Sequence, residues 1–185
     1  TVDAAANSTA TSSASAVTVS AWLNTDTVSG SAGIYSASIN NGGASTPNSR
    51  LALERNGSNV QVIVRSDDAT ASVIVTTTNP FSTGAWQHVS AVVDVLADTV
   101  QIYVDGVLQA TSGTVTAPGT AFPSSSSART AVGSGDDGTT PFFDGRIDEL
   151  QVTSVARSAA WIKAQHLAET GAFLTVGAAQ AVAGS

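Results

Sequence analysis

Residues 84–107 read GAWQHVSAVVDVLADTVQIYVDGV, and this stretch has the pattern of two paired β-strands. Apolar side chains recur at every second position in Trp86–Val95 and in Thr99–Val104, which is typical of strands with one buried face. Asp105-Gly106 follows, a pair that favours a two-residue hairpin turn because both turn positions take a positive φ. Trp86 opens the longer strand, so we expect its ring to be buried and its loss to be strongly destabilising.

Strands of the same kind flank this stretch on both sides. Val17–Asn24 alternates in the same way, with Trp22 on the face opposite to its apolar residues. A helix is predicted at Ser158–Glu169, with Ser158 as its N-cap and Gly171 ending it. Further strands are predicted at 33–38, 50–55, 60–66, 71–78, 107–111, 128–133, 142–153 and 173–176.

About ten short strands separated by turn residues predict an all-β fold, a two-sheet antiparallel jelly-roll sandwich with one short C-terminal helix. We expect the sandwich to span residues 17–176. Residues 1–16 are then an N-terminal tail or edge segment, and residues 177–185 are a frayed C-terminal tail.

The composition excludes several classes of protein. The 185 residues include no Cys, so disulfide scaffolds, thiol nucleophiles and iron–sulfur sites are excluded. Seven basic residues against fourteen acidic ones give a net charge of −7, which leaves no basic surface for nucleic acid or for an anionic membrane. No apolar run is long enough to insert into a bilayer. Because Met is also missing, we expect the chain to be part of a larger polypeptide.

Four short motifs occur in an order that resembles a known superfamily. They are 19–22 (VSAW), 84–94 (GAWQHVSAVVD), 100–107 (VQIYVDGV) and 143–150 (FDGRIDEL). Together they resemble the laminin-G-like domains of the concanavalin A-like lectin/glucanase superfamily, in particular the type found in large secreted bacterial proteins. The resemblance implies a concanavalin A-like jelly roll that is secreted or displayed on the bacterial cell surface. It further implies a non-catalytic binding or adhesion module, with a glycan or cell-surface polysaccharide as the favoured partner and calcium as a frequent cofactor.

Glycoside hydrolysis has little support in the sequence. The glucanases of this superfamily carry a Glu-x-Asp-x-x-Glu motif, and none of Glu54, Glu149 and Glu169 lies in that spacing. Asp148 and Glu149 are neighbours on a predicted strand, so we expect their side chains on opposite faces. We therefore predict no enzymatic activity. The alternatives to a binding module are a structural spacer in a larger secreted protein and, third, an atypical glycoside hydrolase.

Calcium is the cofactor that the acidic residues favour. Asp136-Asp137 lie between glycines in the loop 134–140, where carboxylate and carbonyl oxygens can converge on an ion. Asp67-Asp68 follow another strand and are expected to complete the site if the two loops share a rim. The alternative is that each pair merely forms a solvated turn. A separate possibility is that Asp148 binds a structural ion together with the N-terminal segment near Asp3.

A glycan site needs exposed aromatic rings beside polar groups. Tyr35 near Asn40-Asn41, and Phe142 near the acidic loop, are the candidate ligand-binding residues. Only one of Phe142 and Phe143 is expected to face outward, because neighbours on a strand alternate. His88 is expected to be a partly buried, hydrogen-bonded strand residue, and His166 a solvent-facing helix residue.

Overall fold

The computed structural model describes residues 2–4, 11–39, 48–67, 73–78, 81–112, 119–124, 128–135 and 141–172. Its single described helix is α1, Ala159–Glu169. Its strands in chain order are β1 (Val2–Ala4), β2 (Ala16–Thr25), β3 (Ser31–Ile39), β4 (Asn48–Asn56), β5 (Asn59–Val64), β6 (Val73–Thr77), β7 (Gln87–Asp94), β8 (Thr99–Val104), β9 (Val107–Leu108), β10 (Thr111–Ser112), β11 (Ala128–Val132) and β12 (Gly145–Thr153).

These strands form two antiparallel sheets that pack face to face. The larger sheet has the order β1-β11-β3-β4-β5-β6-β10, and the smaller has the order β12-β2-β7-β8-β9. One hydrophobic core lies between them, with Val19 and Val89 from the smaller sheet and Leu53 and Val62 from the larger. The predicted all-β jelly-roll sandwich is therefore confirmed.

The outer face of the smaller sheet carries the helix. Ser158 caps α1 as predicted, because its Oγ accepts a hydrogen bond from the Trp161 N–H at 3.2 Å. Ile162 is fully buried and packs on Val92 and Tyr103, which point away from the main core. This contact anchors the first turn of the helix on β7 and β8.

The turns follow the sequence signals closely. Asp105 and Gly106 adopt φ values of 51° and 73°, as the predicted hairpin turn requires. The Asp105 Oδ1 also accepts a hydrogen bond from the His88 backbone N–H at 2.8 Å, which ties the turn to the start of β7.

The N-terminal end of the chain is described in part, whereas the last residues are not. Val2–Ala4 is an edge strand of the larger sheet, paired with β11, so part of the N-terminal segment belongs to the sandwich. The predicted strand at 173–176 and the tail at 177–185 lie outside the described residues.

Candidate functional site

A pocket of about 420 Å³ opens on the outer side of the smaller sheet, beside the end of α1. We call it the tryptophan pocket, and its described lining consists of Trp22, Trp86, Asp148, Glu149 and Glu169. Two indoles and three carboxylates thus converge on one concavity, although their positions in the sequence are up to 147 residues apart.

Trp86 is one wall of this pocket, and the prediction that it is buried is wrong. Its ring is 44% exposed. The inward alternation begins only at β7, whose first residue is Gln87, so Trp86 belongs to the segment that leads into the strand. An exposed indole at the mouth of a concavity is a common feature of binding sites, because it offers a large rigid apolar face.

A bulge in β12 brings Asp148 and Glu149 to the same pocket. Asp148 is in register with Trp22 and Gln151 with Ser20, so two residues of β12 stand opposite one residue of β2. Glu149 takes a positive φ of 49° within the bulge. The expectation that the two carboxylates face opposite sides is therefore wrong, because the bulge interrupts the alternation on which it rested.

Glu169 closes the pocket from the helix side. Its Oε2 accepts a hydrogen bond from the Trp22 Nε1 at 2.5 Å, and its Oε1 accepts one from the Gln165 Nε2 at 3.2 Å. The Trp22 ring is in turn stacked on His166, with ring centroids 5.6 Å apart and planes at 29°. The contacts of Trp22 with Glu169 and His166 thus join α1 to the smaller sheet at the wall of the pocket.

His88 lies directly beneath this wall and is only 1% exposed. Its ring centroid is 5.4 Å from that of Trp22, and its Nε2 is 3.7 Å from the Glu169 Oε2. Among the described residues neither ring nitrogen has a hydrogen-bond partner, so the expected hydrogen-bonded histidine is not found there. Burial lowers the pKa of His88, an effect that the nearby Glu169 only partly offsets. His166 is half-buried beside Trp22 and not simply solvent-facing.

The aromatic residues predicted to bind ligand have different surroundings. Tyr35 is 2% exposed and packs in the main core, so its ring offers no face to a sugar. Phe142 is 53% exposed while Phe143 packs against the core, as the alternation predicted. Phe142 is not among the lining residues of the tryptophan pocket. Asn40 and Asn41 lie outside the described residues.

Of the residues predicted to bind calcium in the acidic loop and its neighbour, only Asp67 is described, and it lies far from the described ends of that loop. Gly135 and Pro141, the two ends of the acidic loop, are joined by a hydrogen bond and lie beside Gly33 at the start of β3. Asp67 follows the other end of β5, beyond Val64, which is in register with Leu51. Gly33 is in register with Glu54, so Asp67 lies about six residues farther along the sheet than the ends of the acidic loop, a distance of roughly 20 Å. Asp67 is therefore distant from the described ends of that loop, Gly135 and Pro141.

The remaining metal predictions are placed only in part. Asp136, Asp137 and Asp68 lie outside the described residues. Asp148 lies in the smaller sheet and Asp3 in the larger one, so the two belong to opposite layers of the sandwich. Within the described ranges, no three His, Asp or Glu side chains come together in a way that could hold a metal ion.

Sequence reasoning missed most of the tryptophan pocket for two physical reasons. Nothing local connects Trp22 with Glu169, because their contact depends on where α1 docks. A bulge also leaves little trace in a single sequence, so the convergence of Asp148 and Glu149 was hidden. The available signal was Trp22 itself, a large ring on the outer face of a strand whose other face is fully apolar.

The family model described as the concanavalin A-like lectin/glucanases superfamily matches residues 2–163. The chain belongs to this superfamily. No curated protein sequence matches the chain.

Solved structures share the fold of this superfamily member at low sequence identity. The CBM40 of the Ruminococcus gnavus IT-sialidase, bound to alpha2,3 sialyllactose, is 15% identical with a TM-score of 0.65, over 83% of this chain and 84% of that one. A SAP-like pentraxin from Limulus polyphemus is 14% identical with a TM-score of 0.61, over 83% and 70%. A putative carbohydrate binding protein from Bacteroides ovatus is 22% identical with a TM-score of 0.57, over 80% and 40%. The neighbours thus include carbohydrate-binding modules and a pentraxin.

Proposed function

We propose that this protein is a non-catalytic glycan-binding module, and that the tryptophan pocket is its binding site. The exposed Trp86 is the observation that carries the proposal, because it lies over a pocket whose other lining residues are Trp22 and three hydrogen-bonding carboxylates. Sugars present apolar C–H faces and a rim of hydroxyls, and such a pocket complements both.

The relatives support the same class of ligand. Several neighbours with this fold are carbohydrate-binding proteins by their own description, and one holds a sialylated sugar. We propose that this chain acts in the same way outside the cell, as a domain of a secreted or surface-displayed bacterial protein. In accord with that setting, none of the described residues forms a helix with the length and hydropathy needed to cross a bilayer.

A glycan array tests this function directly. The protein is screened with and without a calcium chelator, in parallel with Trp86→Ala and the control Leu96→Ala. Leu96 is also a large exposed side chain, but it lies beyond the far end of β7. We expect the parent and Leu96→Ala to bind the same glycans and Trp86→Ala to lose them. If the parent bound no glycan in either condition, a structural spacer would be the better account.

Glycoside hydrolysis is the second candidate, because three carboxylates line the pocket. Hydrolysis needs two carboxyl groups that flank the glycosidic bond at a defined separation. Asp148 and Glu149 are consecutive on one strand, and the Glu169 Oε2 is engaged by the Trp22 indole. We therefore expect no turnover of β-glucans above a buffer blank. Turnover that Glu149→Gln abolishes would overturn the non-catalytic assignment.

A further inference from the structure

The tryptophan pocket is strongly biased in charge. Asp148, Glu149 and Glu169 line it, and no Lys or Arg is among its described lining residues. The Asp148 Oδ1 accepts the Glu149 backbone N–H at 2.9 Å, a contact that neutralises neither carboxylate. In the described part of the chain, the Glu149 side chain makes no hydrogen bond or ion pair.

His88, which lies beside Glu169, supplies no positive charge to the pocket. His88 approaches Glu169 at 3.7 Å, but it is 1% exposed and its ring nitrogens have no hydrogen-bond partner. Burial lowers its pKa and so favours the neutral imidazole, which does not offset the charge of Glu169. This buried, unpartnered nitrogen is directed at a carboxylate of the pocket wall.

We propose that the pocket selects glycans that carry a protonated amine, such as glucosaminyl residues with a free amino group. This inference rests on the proposed function, since it names the class of sugar that the same site takes. An ammonium group forms charge-assisted hydrogen bonds with carboxylates, which are about twice as strong as neutral ones. The same group is attracted to the face of an indole, which the exposed Trp86 provides here.

The same charges disfavour acidic sugars. A sialyl or uronate carboxylate would be brought next to three carboxylates in a protein whose net charge is already −7. The sialyllactose ligand of the CBM40 neighbour is therefore the wrong charge class for this pocket, although the fold is shared. Specificity of this kind combines attraction of one charge with repulsion of the other.

A matched pair of sugars tests the inference. Cellotetraose and the β-linked glucosamine tetramer share a backbone and differ only in a hydroxyl or an amine at each ring. Their affinities are measured by calorimetry at about pH 6, where carboxylates are ionised, with sialyllactose as the anionic probe. We expect the amine tetramer to bind at least about tenfold more tightly than cellotetraose. We expect no binding of sialyllactose, and we expect the preference to shrink as salt is added.

Variants assign the preference to the pocket. The double substitution Asp148→Asn and Glu149→Gln keeps size and hydrogen bonding but removes two charges, so the ratio of the two affinities should fall towards one. Asp94→Asn removes one charge at the far end of β7 and should keep the ratio. Equal affinities for both tetramers, each lost in Trp86→Ala, would refute the charge selection while the proposed function stands. Binding of neither tetramer, together with an array that shows no glycan bound, would refute the proposed function itself.

Discussion

The buried imidazole of His88 makes the stability of the fold depend on pH. The side chain is 1% exposed, and burial lowers its pKa below the ordinary value of 6.5. The unfolded chain therefore takes up a proton at about pH 6.5, whereas the folded protein does so only at lower pH. Because the unfolded state binds more protons in that window, stability is complete above about pH 6.5. It falls as the pH drops towards the folded-state pKa.

The size of this loss of stability is set by the one proton that His88 takes up. Each pH unit below about 6.5 costs up to ~1.4 kcal/mol until the folded-state pKa is reached. For a domain of this size, the decrease in Tm between pH 7.5 and 5.5 is then at most roughly 3–6 °C. Carboxylates contribute little in this range, since their ordinary pKa values lie near 4.

Thermal unfolding of the parent and of His88→Phe at the two pH values measures the effect. Phe has a similar volume, does not titrate and removes two buried nitrogens that have no hydrogen-bond partner, so the variant should be at least as stable at pH 7.5. We expect the Tm difference between the two pH values to shrink in His88→Phe, by at most about 3–6 °C. The control Leu96→Ala, which changes an exposed side chain beyond the far end of β7, should keep the parent's difference. A pH dependence that is the same in His88→Phe as in the parent would refute the reasoning.

Three further predictions concern a tight glycine, the packing of α1 on the sheet and the proposed calcium-binding loop. Gly145→Ala should destabilise the fold by about 2–5 kcal/mol in chemical denaturation. The reason is that Gly145 has a φ of 142° and that a Cβ there would overlap the Asn24 carbonyl. A loss of stability under about 0.5 kcal/mol would contradict this reasoning. Ile162→Ala should cost about 2–5 kcal/mol, since it empties the fully buried contact of α1 with the sheet, whereas Ile162→Val should cost only about 0.5–1.5 kcal/mol. Calcium at several millimolar should raise the Tm by a few degrees through the loop 134–140, consistent with a weak extracellular site, and the double variant Asp136→Ala/Asp137→Ala should not respond. An equal response in that double variant would show that the loop is an ordinary turn.

The fold could be predicted because its signals are local. Alternation in the run Val17–Asn24, the Asp105-Gly106 turn and the Ser158 cap each depend on residues that are close in sequence, and each is found in the structure. The four motifs that resemble the superfamily added the sheet arrangement, and the match to residues 2–163 confirms the resemblance.

The candidate site could not be predicted in the same way, because it depends on long-range docking and on exceptions to the strand pattern. The alternating pattern predicts Trp86 to be the first residue of a buried strand, whereas β7 begins one residue later, at Gln87. Glu149 leaves the alternation at a bulge, and Glu169 reaches Trp22 only because Ile162 anchors the helix. Tyr35 is close in sequence to a polar loop, which predicted a ligand-binding ring, but its face of β3 packs into the core.

A heteronuclear NMR titration of the tryptophan indole N–H signals tests the central claim most directly. The chain has three tryptophans, and only Trp22 and Trp86 line the pocket, whereas the ring of Trp161 packs under the Arg157 guanidinium at 4.5 Å. With the tightest-binding glycan of the array, the account predicts that the Trp22 and Trp86 signals shift while the Trp161 signal stays in place. Saturable glycan binding that left both the Trp22 and Trp86 signals unmoved would contradict it.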